Sequence, residues 1–187
     1  MKQNEVKVNK SHKSLSKSIP FAIIDIGSFS VRLVIYDSIS VAPRTLFNEK
    51  VISNLGKIVS KKKSIDKESI KFLIDILERF FSILKSVEIE KPVILATAAI
   101  RNANNRNEFS KLVYKLFSIK IKILDEKEEG ELAALGTYYS HKNVDGLVAD
   151  LGGGSLEITE MYGLGKINYL NSLPVGHTYL QNLGDYN

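Results

Sequence analysis

AIIDIGSFSVRLVIYD, residues 22–37, and LVADLGGGSLEITEMY, residues 147–162, are two readings of one pattern. With Asp25 set on Asp150, an apolar strand ends in aspartate, a glycine follows two residues on (Gly27, Gly152), a serine closes the loop (Ser30, Ser155) and a second strand begins at once. Each copy reads as a strand, a tight turn of mostly small residues and a strand. Such a turn leaves backbone N–H groups facing outward with no side chain over them, which makes a concave anion site, and a carboxylate beside it can hold a divalent cation through water. Two such hairpins predict two related half-domains facing each other across a phosphate-binding cleft.

Beyond the first hairpin, Arg44 to Ser53 reads as a third, weaker strand. Ser64 then caps a predicted helix with Asp66 and Glu68 in its first turn and Lys85 in its last, and Ile70, Leu73, Ile74, Leu77, Phe80, Phe81 and Leu84 form its apolar stripe. Val93 to Ala96 is a short buried strand running into the loop TAAIRNANN. Asn105 with Glu108 resembles a capping pair for a helix carrying Phe109, Leu112, Val113, Leu116 and Phe117. Ile121 to Leu124 is a strand, and Asp125 with Glu128 repeats the capping logic for a helix to about Ser140. The expected order is βββαβαβα, an α/β domain with a mixed sheet. The second hairpin follows, with a further strand near Ile167 to Ser172. It should open a second domain, of which only the first strands fit before Asn187, so their apolar faces are expected to lack the helices that would cover them. The expected divisions are a tail over 1–18, a first domain over 19–142 and the start of a second over 143–187.

The net charge of +5 is mostly local: Lys2, Lys7, Lys10, Lys13 and Lys17 against Glu5 place +4 of it in the first 18 residues. That tail has neither the apolar core of a signal peptide nor the arginines of a transit peptide, so it reads as a disordered extension of a cytoplasmic protein, and no specific nucleic-acid partner is expected. Lys61, Lys62 and Lys63 read as a solvated loop before a helix. The chain has no cysteine, which excludes a disulfide framework and a thiol nucleophile. Apolar runs such as VILATAAI stop far short of the roughly 18 residues a membrane span needs.

Certain residues stand out chemically. An aspartate at a strand end is often only a turn residue, but recurrence at matched positions argues that Asp25 and Asp150 do more. Arg101 follows the strand Val93 to Ala96 at the end where α/β folds place ligand contacts, and its planar fork suits a phosphate. In the acidic run DEKEEGE, residues 125–131, Glu129 shares the i, i+3, i+4, i+7 face with Leu132, Ala133 and Gly136. A carboxylate on an inward face is partly desolvated and gains the basicity a general base needs, with Glu128 as the rival. His12, His141 and His177 lack metal-ligand spacing and are read as non-catalytic.

These motifs in order, DIGSFSVRLVIYD, ATAAIR with an NxxEF helix, KEEGELAALG, and VADLGGGSLE with SLPVGHTYL, resemble the N-terminal part of the Ppx/GppA phosphatase family, of the ribonuclease H-like, actin-like ATPase superfold. The likeness runs from about Phe21 to about Leu180. It implies hydrolytic release of terminal phosphate from inorganic polyphosphate, or from guanosine pentaphosphate, with magnesium. A noncatalytic truncated member is the other alternative, and a homodimer is an expectation for the complete protein. By resemblance, Glu129 is the catalytic glutamate; Gly27, Ser28, Ser30, Arg101, Gly152, Gly153, Gly154 and Ser155 bind phosphate; Asp25, Asp150 and Glu157 serve the metal. An actin-like sugar kinase is disfavoured, because KEEGELAALG matches the phosphatases. The chain departs from the family pattern at Phe29, where the first loop usually has asparagine, at Leu156, where the second usually has threonine, and at Asp125, Glu126 and Gly130 around the helix start.

Overall fold

Strand β1 (Phe21–Ile26) buries Ala22, Ile24 and Ile26 on one face, the period-two signature of a sheet packed on helices. The computed structural model describes residues 19–141, 145–163, 165–177 and 180, so the predicted tail lies outside the described residues. β1 pairs antiparallel with β2 (Ser30–Tyr36), and β2 pairs antiparallel with β3 (Thr45–Ile52), giving the expected meander. On its other side β1 runs parallel to β4 (Val93–Ala96), and β4 runs parallel to β5 (Ile121–Ile123). The result is a mixed five-stranded sheet in the order β3-β2-β1-β4-β5.

Two helices are absent from the sequence reading, and two helix caps differ from it. α1 (Leu55–Lys62) precedes the expected long helix, and α3 (Ala98–Arg101) forms where TAAIRNANN reads as a loop, so the βββαβαβα order gains two helices. α1 was hidden because only Leu55 and Val59 of its eight residues are buried, too few for a periodic stripe. α2 (Lys67–Ser86) is capped by Asp66 rather than Ser64: the Asp66 carboxylate accepts from the Ser69 N–H at 2.8 Å. Its Leu73, Leu77, Phe80 and Leu84 are fully buried, and burial of each such side chain contributes about 1.5–3 kcal/mol. α4 (Arg106–Phe117) adds Phe109 and Val113 to the same core. Asn105 does not cap α4 with its side chain. Its amide instead accepts from the Ile65 N–H at 2.9 Å and donates to the Ile65 carbonyl at 2.8 Å, tying the start of α4 to the start of α2.

α5 (Glu126–Ser140) begins with the expected capping box: the Asp125 carboxylate accepts from the Glu128 N–H at 2.7 Å, and the Asp125 N–H donates to Glu128 at 3.2 Å. It packs on a separate antiparallel sheet of β6 (Gly146–Leu151), β7 (Leu156–Tyr162) and β8 (Lys166–Leu173). Glu157, Thr159 and Met161 of β7 face α5 and are buried. On the opposite face the register sets Leu151 beside Leu156 and Leu156 beside Leu173, with Leu147 and Leu151 67% and 49% exposed. An uncovered apolar sheet face promotes association. The isolated chain is therefore expected to gain weight-average mass with concentration in sedimentation equilibrium, and a Leu147→Lys, Leu151→Lys double variant to sediment as a monomer. No described helix is long and apolar enough to cross a membrane.

Candidate active site

The two repeated hairpins close with the same bond. The Gly27 N–H donates to the Ser30 carbonyl and the Gly152 N–H to the Ser155 carbonyl, both at 2.9 Å. The loops press against each other: a Cβ on Gly153 would stand 2.9 Å from Ser28 Cβ, and one on Gly154 would stand 2.8 Å from Ser28 Oγ. Glycine is needed here for close approach of two backbones. Among the described residues the N–H groups of Ser28, Phe29, Gly153 and Gly154 have no backbone acceptor, so they remain available to an anion.

The loops line a cleft of about 420 Å³ together with Asp25, Arg32, Lys50, Thr97, Glu129, Asp150 and His177. The first-loop set Gly27, Ser28 and Ser30, the second-loop set Gly152, Gly153, Gly154 and Ser155, and the carboxylates of Asp25, Asp150 and Glu129 are thus brought to one place. Glu157 stands beside it, opposite Asp150 in the β6–β7 register and 1% exposed.

Glu129 reaches the cleft, though not by the face the periodicity assigned. The packed stripe of α5 is Gly130 and Ala134, whereas Leu132 is 46% exposed and Gly136 points at open space. A Cβ on Gly130 would stand 2.9 Å from Thr159 Oγ1 and 3.1 Å from Tyr169, so glycine lets α5 lie close on β7 and β8. Glu129, next to that seam, is held by Arg101: Nη1 donates to Glu129 Oε2 at 2.8 Å and to the Leu124 carbonyl at 2.9 Å. Burial pushes the Glu129 carboxyl up to about 7; Arg101 opposes that rise, and the charges of Glu157 and Asp150 add to it. Glu128 points away, in the capping box and 2.8 Å from Lys122, and its carboxyl is lowered mainly by Lys122.

Arg101 is placed differently from the loops. Its side chain is 13% exposed, its Nε lies 3.0 Å from Glu126 Oε1, and it borders a neighbouring polar hollow with Asn102, Tyr169, Asn171 and Ser172. Glu126, a departure at the helix start, thus places a second carboxylate on this arginine. The other departures also have structural roles: Leu156 pairs with Leu151 and Leu173 on the apolar sheet face, and Phe29 packs edge-to-face on His177 with ring centres 4.6 Å apart.

No group of three acidic or histidine side chains among the described residues converges into a closed metal site. The oxygen-only set of Asp25, Asp150 and Glu157 nevertheless fits a cation that keeps several of its waters. Burial raises the Asp25 carboxyl first, Arg32 opposes, and the Asp150 charge raises it further. Glu157 accepts from Ser172 Oγ at 3.0 Å through Oε1, while its buried Oε2 has no partner. A nearby cation would relieve both.

Arg32, Lys50, Thr97 and His177 also line the cleft, and sequence reasoning did not select them. His177 has no spacing signal because Phe29 and Gly152, its neighbours in space, come from two loops distant in sequence.

The family model described as Ppx/GppA phosphatase family matches residues 34–183. The crystal structure of the Aquifex aeolicus member of that family superposes with a TM-score of 0.75 and 31% identity, covering 88% of this chain and 54% of that one. An exopolyphosphatase from Cytophaga hutchinsonii gives 0.75 and 25% identity over 88% of this chain and 53% of its own. The guanosine-5'-triphosphate,3'-diphosphate pyrophosphatase of Aliivibrio fischeri is 27% identical over 165 residues, 88% of this chain and 33% of its own length. The chain thus spans about half of these solved relatives and a third of this curated one.

Proposed function

Because the chain belongs to the Ppx/GppA phosphatase family, we propose that it carries the hydrolytic half of an exopolyphosphatase-type enzyme that releases terminal phosphate from inorganic polyphosphate. The observation that carries this reading is Glu129, raised to about 7 by burial, facing a cleft walled by two matched anion-binding turns. A base near neutrality can take a proton from water at working pH, and phosphoryl transfer otherwise asks mainly for positioning and charge stabilisation. Glu129 Oε accepts the proton of a water attacking the terminal phosphorus. The free loop N–H groups, with Ser28 and Ser155, hold the transferred group, and Arg101 fixes the base and sits at the edge of the site. Asp25, Asp150 and Glu157 would hold magnesium through water, which supplies positive charge against the phosphate oxygens.

The name of the Aliivibrio relative favours a second substrate, guanosine pentaphosphate. Phosphate release by the complete protein from each substrate tests the choice. Polyphosphate is expected to be the better one, with binding that needs magnesium and weakens as salt rises, as for any polyanion held by several cationic contacts. Release from guanosine pentaphosphate alone would transfer the assignment to that substrate, and release from neither would remove the hydrolase reading.

A further inference from the structure

We infer that His177 and Lys50 form a second anion subsite in the cleft, one that holds the next phosphate of a chain whose end is seated on the two loops. The inference rests on the phosphate-cleft reading above. Three observations carry it.

The first is the row of charges across the sheet. Lys50 of β3 is the register partner of Arg32 on β2, and Arg32 is the partner of Asp25 on β1. Neighbouring strands lie about 4.8 Å apart. Moving out from Asp25, the cleft wall therefore turns cationic, first Arg32 and then Lys50. A phosphate chain leaving the loops along that row passes from the carboxylates to two cations.

The second is the fixing of His177. Its backbone N–H donates to the Gly152 carbonyl at 3.0 Å, and its Nδ1 lies 3.3 Å from the same oxygen. A carbonyl only accepts, so Nδ1 carries the proton and Nε2 is the ring nitrogen left for a ligand. An imidazole that carries both ring protons donates from Nε2 to an anion as well as from Nδ1. The cleft around it also holds Asp25, Glu129 and Asp150, together with Arg32 and Lys50.

The third is Phe29, which both side chains contact. His177 packs edge-to-face on its ring at 80°, and Lys50 Nζ stands 5.2 Å from the ring centre. The two donors therefore flank one rigid aromatic ring.

Binding of tripolyphosphate and of orthophosphate to the full chain, with magnesium, by titration calorimetry tests the inference. His177→Asn keeps a donor for Gly152 but has nothing at the Nε2 position, whereas His177→Gln places an amide there and gives up the Gly152 contact. His177→Asn and Lys50→Met are each expected to weaken tripolyphosphate by about tenfold, the scale of one charge-assisted hydrogen bond. Orthophosphate should stay within about twofold, and His177→Gln should keep more tripolyphosphate affinity than His177→Asn. The reverse order of the two histidine variants, or equal losses for both anions, overturns the subsite and assigns His177 to holding the second loop. Wild-type affinity for tripolyphosphate no higher than for orthophosphate also overturns it, and binding of neither anion removes the phosphate-cleft reading as well.

Discussion

Glu129→Gln in the complete protein is expected to lower kcat by about 10²- to 10⁴-fold with little change in substrate binding, because it preserves size and the Arg101 contact but cannot take a proton. Glu128→Gln should change kcat little, since that side chain serves the capping box and Lys122. The rate on polyphosphate should rise with pH through about 7, where Glu129 loses its proton. The same shift fixes the direction of the stability effect. A carboxyl raised from 4.5 to about 7 in the folded state stabilises the fold fully below 4.5 and loses that contribution as pH rises through 7. Glutamine stays neutral throughout. The variant should therefore melt higher than wild type above pH 7, with the difference vanishing near pH 4.5. Asp25, raised in the same direction, is present in both proteins and does not alter the comparison. Equal, mild kinetic effects at Glu128 and Glu129 would show that the acidic run is only a helix start.

Gly176→Ala is expected to disable the site without touching a charged group. An added Cβ would collide with the Gly153 carbonyl, which is backbone and cannot swing aside as a side chain would. The second loop must shift, and with it Gly152, whose carbonyl anchors His177, and Gly154, which faces Ser28 Oγ. Overpacking of this kind costs about 1–3 kcal/mol, and displaced loop N–H groups should weaken phosphate binding by more than about tenfold. Gly136→Ala is the opposite case. Its Cβ meets nothing within 4 Å, and the residue lies inside α5. Alanine there should stabilise by about 0.5–1 kcal/mol through helix propensity and leave phosphate binding unchanged. Thermal melts and calorimetry on the two variants distinguish the outcomes, and a Gly176→Ala protein that melts and binds as wild type would mean the loops are not locked together.

The amino-acid sequence by itself determined the features that depend on short-range patterns. The matched hairpins are visible because a tight turn needs small residues at fixed offsets from its strand, and both copies make the same glycine-to-serine bond. The α2 stripe and the Asp125–Glu128 capping box were legible for the same reason, as was the placing of Asp25 and Asp150 beside the two loops. Tertiary structure decided the rest. Glu129 faces the cleft because Gly130 and Ala134 seat α5 on β7 and β8, a choice of packing partner that the 3.6-residue period cannot specify. Arg101 became a partner of Glu126 and Glu129, since a long side chain takes whichever carboxylates the fold brings near it. α1 went unread because it buries only Leu55 and Val59, and α3 because four residues are too short to mark a period. Lys50, Arg32 and His177 lie far apart in sequence, and only strand register and the return of the chain past β8 to Gly152 set them in one cleft. Periodicity records how a segment meets its surroundings, while the identity of those surroundings is fixed only when the sheet forms.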